Sequence, residues 1–265
     1  MRFVSMGNNR YTAKAVAALA VVAVLVVGLT GCASQQTAPQ IELALDASTP
    51  AQLLETSQYI PKNVTDKETG EILPYPAAPN PYTALKGRIS SRHVQTFVAA
   101  RQAFQIGDLS HAEKLLRSIT ADDTRLAGPW VMLGDIALQQ RKLDQAVEHY
   151  AKAISVNEVN VNAYIKLATV QRQLGDFIPA QNTYAKALSV WPDFPEAHLN
   201  LAILYDIYLN MPLKAQRHIE SYQFLTGGRD KKRAQWLAEL QQRTGAELQL
   251  EAQVTQAVSI SSGSL

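Results

Sequence analysis

From residue 93 onward the sequence returns to the same pattern every 34 positions, and this recurrence constrains its fold more than any other feature. Trp130 is followed one period later by Tyr164 and then by His198. Leu133, Leu167 and Leu201 share a register; so do Gly134, Ala168 and Ala202, with Ala100 one period earlier. Ala112, Ala146 and Ala180 form a second small-residue register, and Leu116, Tyr150 and Tyr184 a bulky one. Small groups recurring beside large ones let neighbouring segments approach at one point and fill the space at the next. A unit this short cannot bury its own apolar face, so the units must stack. The units are 93–126, 127–160, 161–194 and 195–229. The last holds one extra residue, placed by the sequence near Asn210-Met211-Pro212, which shifts Ala215 by one position.

This pattern resembles the tetratricopeptide repeat. The resemblance implies an all-α fold, a right-handed superhelical solenoid in which each repeat is a hairpin of two antiparallel helices, A and B. Gly107-Asp108, Arg141-Lys142 and Gly175-Asp176 then make the turns within hairpins. Residues 91–246 form the repeat domain, closed by a capping helix at 229–246 with Trp236, Leu237 and Leu240 against the last repeat and Lys231, Lys232 and Arg233 in water. Residues 247–265 read as a disordered tail. In such folds helix A lines a concave groove. Register places Arg101, Asp135, Asn162, Lys166, Thr169, Arg172, Asn200 and Asp206 there, with Phe97, Val131, Ile165, Leu199 and Ile203 between them. This mixed lining suits an extended peptide or a helix from a partner protein. The Lys/Asn carboxylate clamp of chaperone-binding repeats is not evident. Residues 203–222, with Tyr205, Tyr208 and Tyr222 among aliphatics, read first as helix packing and second as a partner patch.

The other end of the chain carries an address. Arg2, Arg10 and Lys14 precede the apolar run 15–29, which is shorter than the roughly 20 residues a spanning helix needs. It reads as the core of a signal peptide, 1–31. Leu29-Thr30-Gly31-Cys32 resembles the lipobox of bacterial lipoproteins, and Cys32 is the chain's single cysteine. The resemblance implies cleavage before Cys32, acylation of its thiol and amine, and stable anchoring by more than one chain. With Ala33 and Ser34, and no Asp, after the cysteine, the same resemblance implies the outer membrane, facing the periplasm. Residues 32–90, punctuated by Pro61, Pro74, Pro76, Pro79 and Pro81, read as an extended tether, with a short helix in 50–60. Ile72, Leu73, Tyr75 and Tyr82 give part of it a means to pack on the array.

Removing residues 1–31 takes away three basic side chains and no acid, which leaves 22 basic against 23 acidic groups. A basic nucleic-acid binder is disfavoured. His93, His111, His149, His198 and His218 show no metal-ligand spacing, and His198 falls at a packing position. Asp122-Asp123 reads as a solvated loop pair, and Gly227-Gly228 is outside any phosphate-loop motif. No cofactor, metal or catalysis is expected. The reading is a lipid-anchored, periplasm-facing scaffold for other envelope proteins. It is similar to pilotin-type lipoproteins, which use about six repeats against four here, and to those that dock cell-wall hydrolases. An accessory role in a TonB/ExbB-type system is a further context. A glycan-binding or cell-wall enzyme module is the rival class, and self-association through the capping helix a third reading.

Overall fold

A computed structural model describes residues 52–84, 87 and 89–250, all within one compact unit, Ser48–Leu265. The expected signal peptide, Cys32 and the expected tail residues 251–265 lie outside the described residues.

Among the described residues eight α-helices pair into four hairpins, as the period requires. They are α1 (Ser91–Gln105), α2 (Leu109–Asp122), α3 (Ala127–Gln139), α4 (Leu143–Val156), α5 (Val161–Leu174), α6 (Phe177–Val190), α7 (Pro195–Ile203) and α8 (Pro212–Leu225). A ninth, α9 (Lys231–Thr244), packs on α8. Starts are capped by side chains: Ser90, Asp108, Asn160 and Asp230 each accept from the backbone N–H three residues on. The core is a series of three clusters along the stack: Ala100, Leu116 and Leu133 in the first, Ala146, Tyr150 and Leu167 in the second, and Tyr184, Leu201, Tyr205 and Ile219 in the third.

The small-residue registers sit where the helices cross. Ala112, Ala146, Ala168, Ala180, Ala202 and Ala215 are all fully buried. Within each of the first three hairpins the turn closes in one way. The N–H of Asp108 reaches Ala103 O, that of Lys142 reaches Ala137 O and that of Asp176 reaches Gln171 O, each at 2.9 Å. These five-residue bonds need a left-handed residue, supplied by Gly107 (φ 84°), Arg141 (φ 60°) and Gly175 (φ 87°). Arg141 alone of the three carries a Cβ into this region. Arg141→Gly should raise unfolding free energy by about 0.5–1 kcal/mol, read as a higher denaturant midpoint at unchanged slope.

The fourth hairpin corrects the placement of the extra residue. It is absorbed not at Asn210-Met211-Pro212 but before it, in a π-turn over Leu204–Tyr208, where Leu209 N–H bonds Leu204 O at 3.0 Å. The closing bond then widens by one residue, from Met211 N–H to Tyr205 O at 2.7 Å, and Asn210 (φ 51°) takes the left-handed place. A π-turn accepts an extra residue without breaking the helix. The cost is outward display: Ile207 is 67% exposed.

Residues 52–84 lie along the array, with a 3₁₀ turn at Ser57–Tyr59 in the stretch 50–60 where a short helix is expected. A two-stranded antiparallel hairpin follows, β1 (Val64–Thr65) and β2 (Ile72–Leu73). Tyr75 packs edge-on against Phe224 of α8, ring centroids 5.1 Å apart, and donates to Asp193 at 2.8 Å. Asp193 also accepts from Ala78 N–H at 2.7 Å, and the Trp191 indole donates to Ala78 O at 2.7 Å. At the far end, residues 247–250 are held too: Gln249 and Leu250 N–H donate to the buried Glu220 carboxylate, and Leu250 is buried.

Candidate docking faces of the array

The predicted groove residues lie on the A helices, and the structure joins some of them. Asp135 on α3 accepts from Lys166 Nζ on α5 at 2.7 Å, and from the Tyr150 hydroxyl on α4 at 2.6 Å. Burial, reinforced by that carboxylate, pushes the Tyr150 hydroxyl well above its ordinary range, so it acts as a donor. Thr169 donates to Ile165 O at 2.8 Å and meets the Tyr184 hydroxyl at 3.1 Å. Arg172 lies 5.6 Å over the Tyr208 ring and donates to its hydroxyl at 3.3 Å. Tyr208 in turn packs on Phe177 with ring centroids 4.8 Å apart and planes tilted by 35°. Tyr208 is 40% exposed, and Leu174 and Ile207 are exposed as well. Arg101 and Asn162 stand exposed on α1 and α5, and Asn200 bonds only within its own helix, to Glu196 O at 2.8 Å.

Asp206 does not belong to an open lining. Its carboxylate accepts from the Trp236 indole at 2.9 Å and from Arg243 at 2.8 Å, both on α9, and its side chain is 10% exposed. It is the bracket that holds the capping helix. In that helix Leu240 is fully buried, Trp236 and Leu237 lie against the core, and Arg233 is half-buried.

The B-helix face carries a device that the sequence reading missed. Gln181 on α6 is fully buried, and its amide pairs with the main chain of Leu54 in both directions: Leu54 N–H to Oε1 at 3.0 Å and Nε2 to Leu54 O at 2.8 Å. Asn182 takes the same N–H at 2.8 Å and donates to Gln52 O at 3.0 Å. In the next repeat the equivalent positions are Gln216 and Arg217. Gln216 donates to Ala246 O at 3.0 Å and Arg217 to Glu247 O at 2.7 Å. One register thus reads backbone on two repeats, and both segments it reads flank the array. The only sequence trace is the pair Ala180-Gln181 and Ala215-Gln216, each putting an amide directly after a helix-crossing alanine.

Between these clamps lies a pair of buried histidines, His198 on α7 and His218 on α8, whose Nδ1 atoms are 2.9 Å apart. His198 thus holds the packing role expected of it, with a partner 20 residues away in sequence.

Two tetratricopeptide-repeat models match the sequence, over residues 131–177 and 161–194. The chain contains tetratricopeptide repeats. No curated protein matches it in sequence. Solved structures agree on the fold. A tetratricopeptide repeat protein from Parabacteroides merdae aligns with 59% of this chain and 61% of its own, at 22% identity and a TM-score of 0.52. MamA from Desulfovibrio magneticus RS-1 aligns with 60% of this chain and 88% of its own, at 14% identity and a TM-score of 0.50. A chain of the APC/C hetero-tetramer Cut9–Hcn1 aligns with 56% of this chain and only 30% of its own, at 17% identity and a TM-score of 0.48, too low to carry an argument. At these identities the likeness speaks for the fold alone.

The tetratricopeptide array is a protein-interaction scaffold, and no enzyme family is indicated. Among the described residues no three His, Cys, Asp or Glu side chains are grouped to hold a metal ion. No helix among them is long and apolar enough to cross a membrane. Asp122 and Asp123 each have a local partner. Asp122 meets His93 at 2.7 Å, and Asp123 chelates Arg125 and is drawn down to about 2 by the hydrogen bonds from that residue.

Proposed function

We propose that the chain is a lipid-anchored scaffold of the bacterial outer membrane, facing the periplasm, that holds other envelope proteins on the A-helix face of its repeats and supports assembly or regulation of an envelope complex. The observation that supports this is the contrast between the two faces. The B-helix face of the last two repeats is overlaid by residues 52–56 and 246–250 of the chain itself. The A-helix face presents Arg101, Asn162, the Asp135–Lys166 pair and Arg172 over the exposed Tyr208 ring, and Leu174 and Ile207 are exposed as well. Cations and amides beside aliphatics suit an extended or helical protein segment that brings carboxylates and apolar side chains. The anchor rests on the Leu29–Cys32 motif.

A photo-crosslinking residue at Asn162 or Asn200 of the full chain, in its own membrane, should give discrete adducts with envelope proteins. The same residue at exposed Lys152 on a B helix should give none. Equal adducts from all three positions would overturn the assignment of the face. Cys32→Ala should move the protein from the membrane to the soluble fraction and remove the acyl mass, and unchanged fractionation and mass would remove the anchor.

A further inference from the structure

We propose that the His198–His218 pair is a proton-operated latch, which holds residues 52–56 on the α6–α8 face and releases them in acid while the helical array stays folded.

The latch is an ordered run of hydrogen bonds. His198 Nε2 lies 2.9 Å from Pro192 O, which can only accept, so this nitrogen carries a proton. A neutral His198 then leaves Nδ1 bare, and His218 Nδ1–H must donate to it across 2.9 Å. A neutral His218 in turn leaves Nε2 bare, so the Thr56 hydroxyl donates to it at 2.9 Å. Thr56 Oγ1 is then the acceptor for the Tyr205 hydroxyl at 3.2 Å, and Tyr205 accepts from Gln181 Nε2 at 2.8 Å. Every donor has an acceptor only while both rings are neutral. A proton added to His198 sets two N–H groups against each other. A proton added to His218 turns its Nε2 into a donor aimed at a hydroxyl that was itself donating. Either one places a cation among groups that are at least 99% buried, since His198, His218 and Thr56 are 0%, 1% and 1% exposed.

The surroundings offer little compensation. Asp193, before α7, is the acid near His198, but its oxygens already accept from Tyr75 and Ala78. Lys214, one turn before His218, opposes a positive ring there and is paired with Glu55 on the strap at 3.6 Å. Burial draws His198 down from 6.5 to about 4, and burial, then His198, then Lys214, draw His218 well below 6.5. The relief route is outward. Thr56 and His218 both line a cavity of about 490 Å³ between the strap and α8, so lifting the strap admits water to the pair. Freed imidazoles regain their ordinary 6.5, and the open state then binds protons that the closed state refuses. Opening is favoured as pH falls from about 6.5 toward about 4, and closure is restored above that window.

Hydrogen exchange on the full chain tests this, with Leu54 N–H reporting the strap and Ala168 N–H the array. Between about pH 7 and about pH 5 the protection factor at Leu54 should fall at least roughly tenfold while that at Ala168 changes less than about twofold. Thr56→Val cuts the tie outside the array and should lower Leu54 protection at neutral pH toward the acid value. His218→Gln, where it folds, should flatten the pH step. Three results would overturn the latch: Leu54 equally protected at both pH values, Leu54 and Ala168 losing protection together, or a wild-type pH step in either variant.

Discussion

Gly134→Ala is expected to destabilise the array by about 3 kcal/mol, at the upper end of what a single added methyl does in a packed core. A Cβ at this position would lie 2.4, 2.6 and 2.8 Å from three ring atoms of Tyr150. The ring has no room to yield, because Tyr150 is fully buried and its hydroxyl is tied to Asp135 at 2.6 Å. The α3–α4 crossing itself must therefore open. Gly128, on the same helix, is the control: its Cβ would meet the Phe97 ring at 3.7 Å, an ordinary contact. Gly128→Ala should be neutral or gain up to about 1 kcal/mol from helix propensity. Pairing Gly134→Ala with Tyr150→Leu should recover part of the loss, as coupling in a double-mutant cycle. Denaturant unfolding measures wild type, the two single variants and the double variant of the cycle, and the Gly128→Ala control; a Gly134→Ala midpoint indistinguishable from wild type would show that the crossing is not close.

Asp206→Ala is expected to release the capping helix, at a cost of about 2–3 kcal/mol. The substitution leaves the Trp236 indole without its acceptor and Arg243 without its carboxylate. Arg243→Ala should cost less, since that side chain is half exposed and its ion pair is partly screened. In a stack of nearest-neighbour contacts the end unit loosens first. Exchange protection should therefore drop across 231–244 before it drops in α3 or α5, with Trp236 emission shifting to the red. Uniform loss along the chain would argue against a local bracket.

The fold was legible because its information is local and repeated. Gly134, Ala146, Ala168 and Ala180 announce helix crossings through size alone, and the left-handed turns at 107 and 175 through glycine. The extra residue was legible as a count but not as a place, since a π-turn at Leu204–Tyr208 and a longer loop shift the downstream register equally. The candidate site was much less legible. Asp206 has the register of a groove residue, and only the arrival of α9 from 30 residues downstream withdraws it. Gln181, Asn182, Gln216 and Arg217 look like ordinary polar helix residues, because what they read is backbone, which has no sequence signature. The segments they hold, at 52–54 and 246–247, have too little apolar periodicity to signal that they pack. The His198–His218 pair depends on a contact between helices that neither residue's neighbours encode.

The bond between Leu54 and Gln181 spans 127 residues, and that between Thr56 and His218 spans 162. Repeat arrays ordinarily grow by adding each hairpin to the one before, with low contact order and fast closure. Here a segment made early finds its seat only when the fourth hairpin exists. The first-synthesised stretch of this domain is therefore among the last to settle, and it ties the beginning of the domain to its end in a ring of contacts that an open stack lacks.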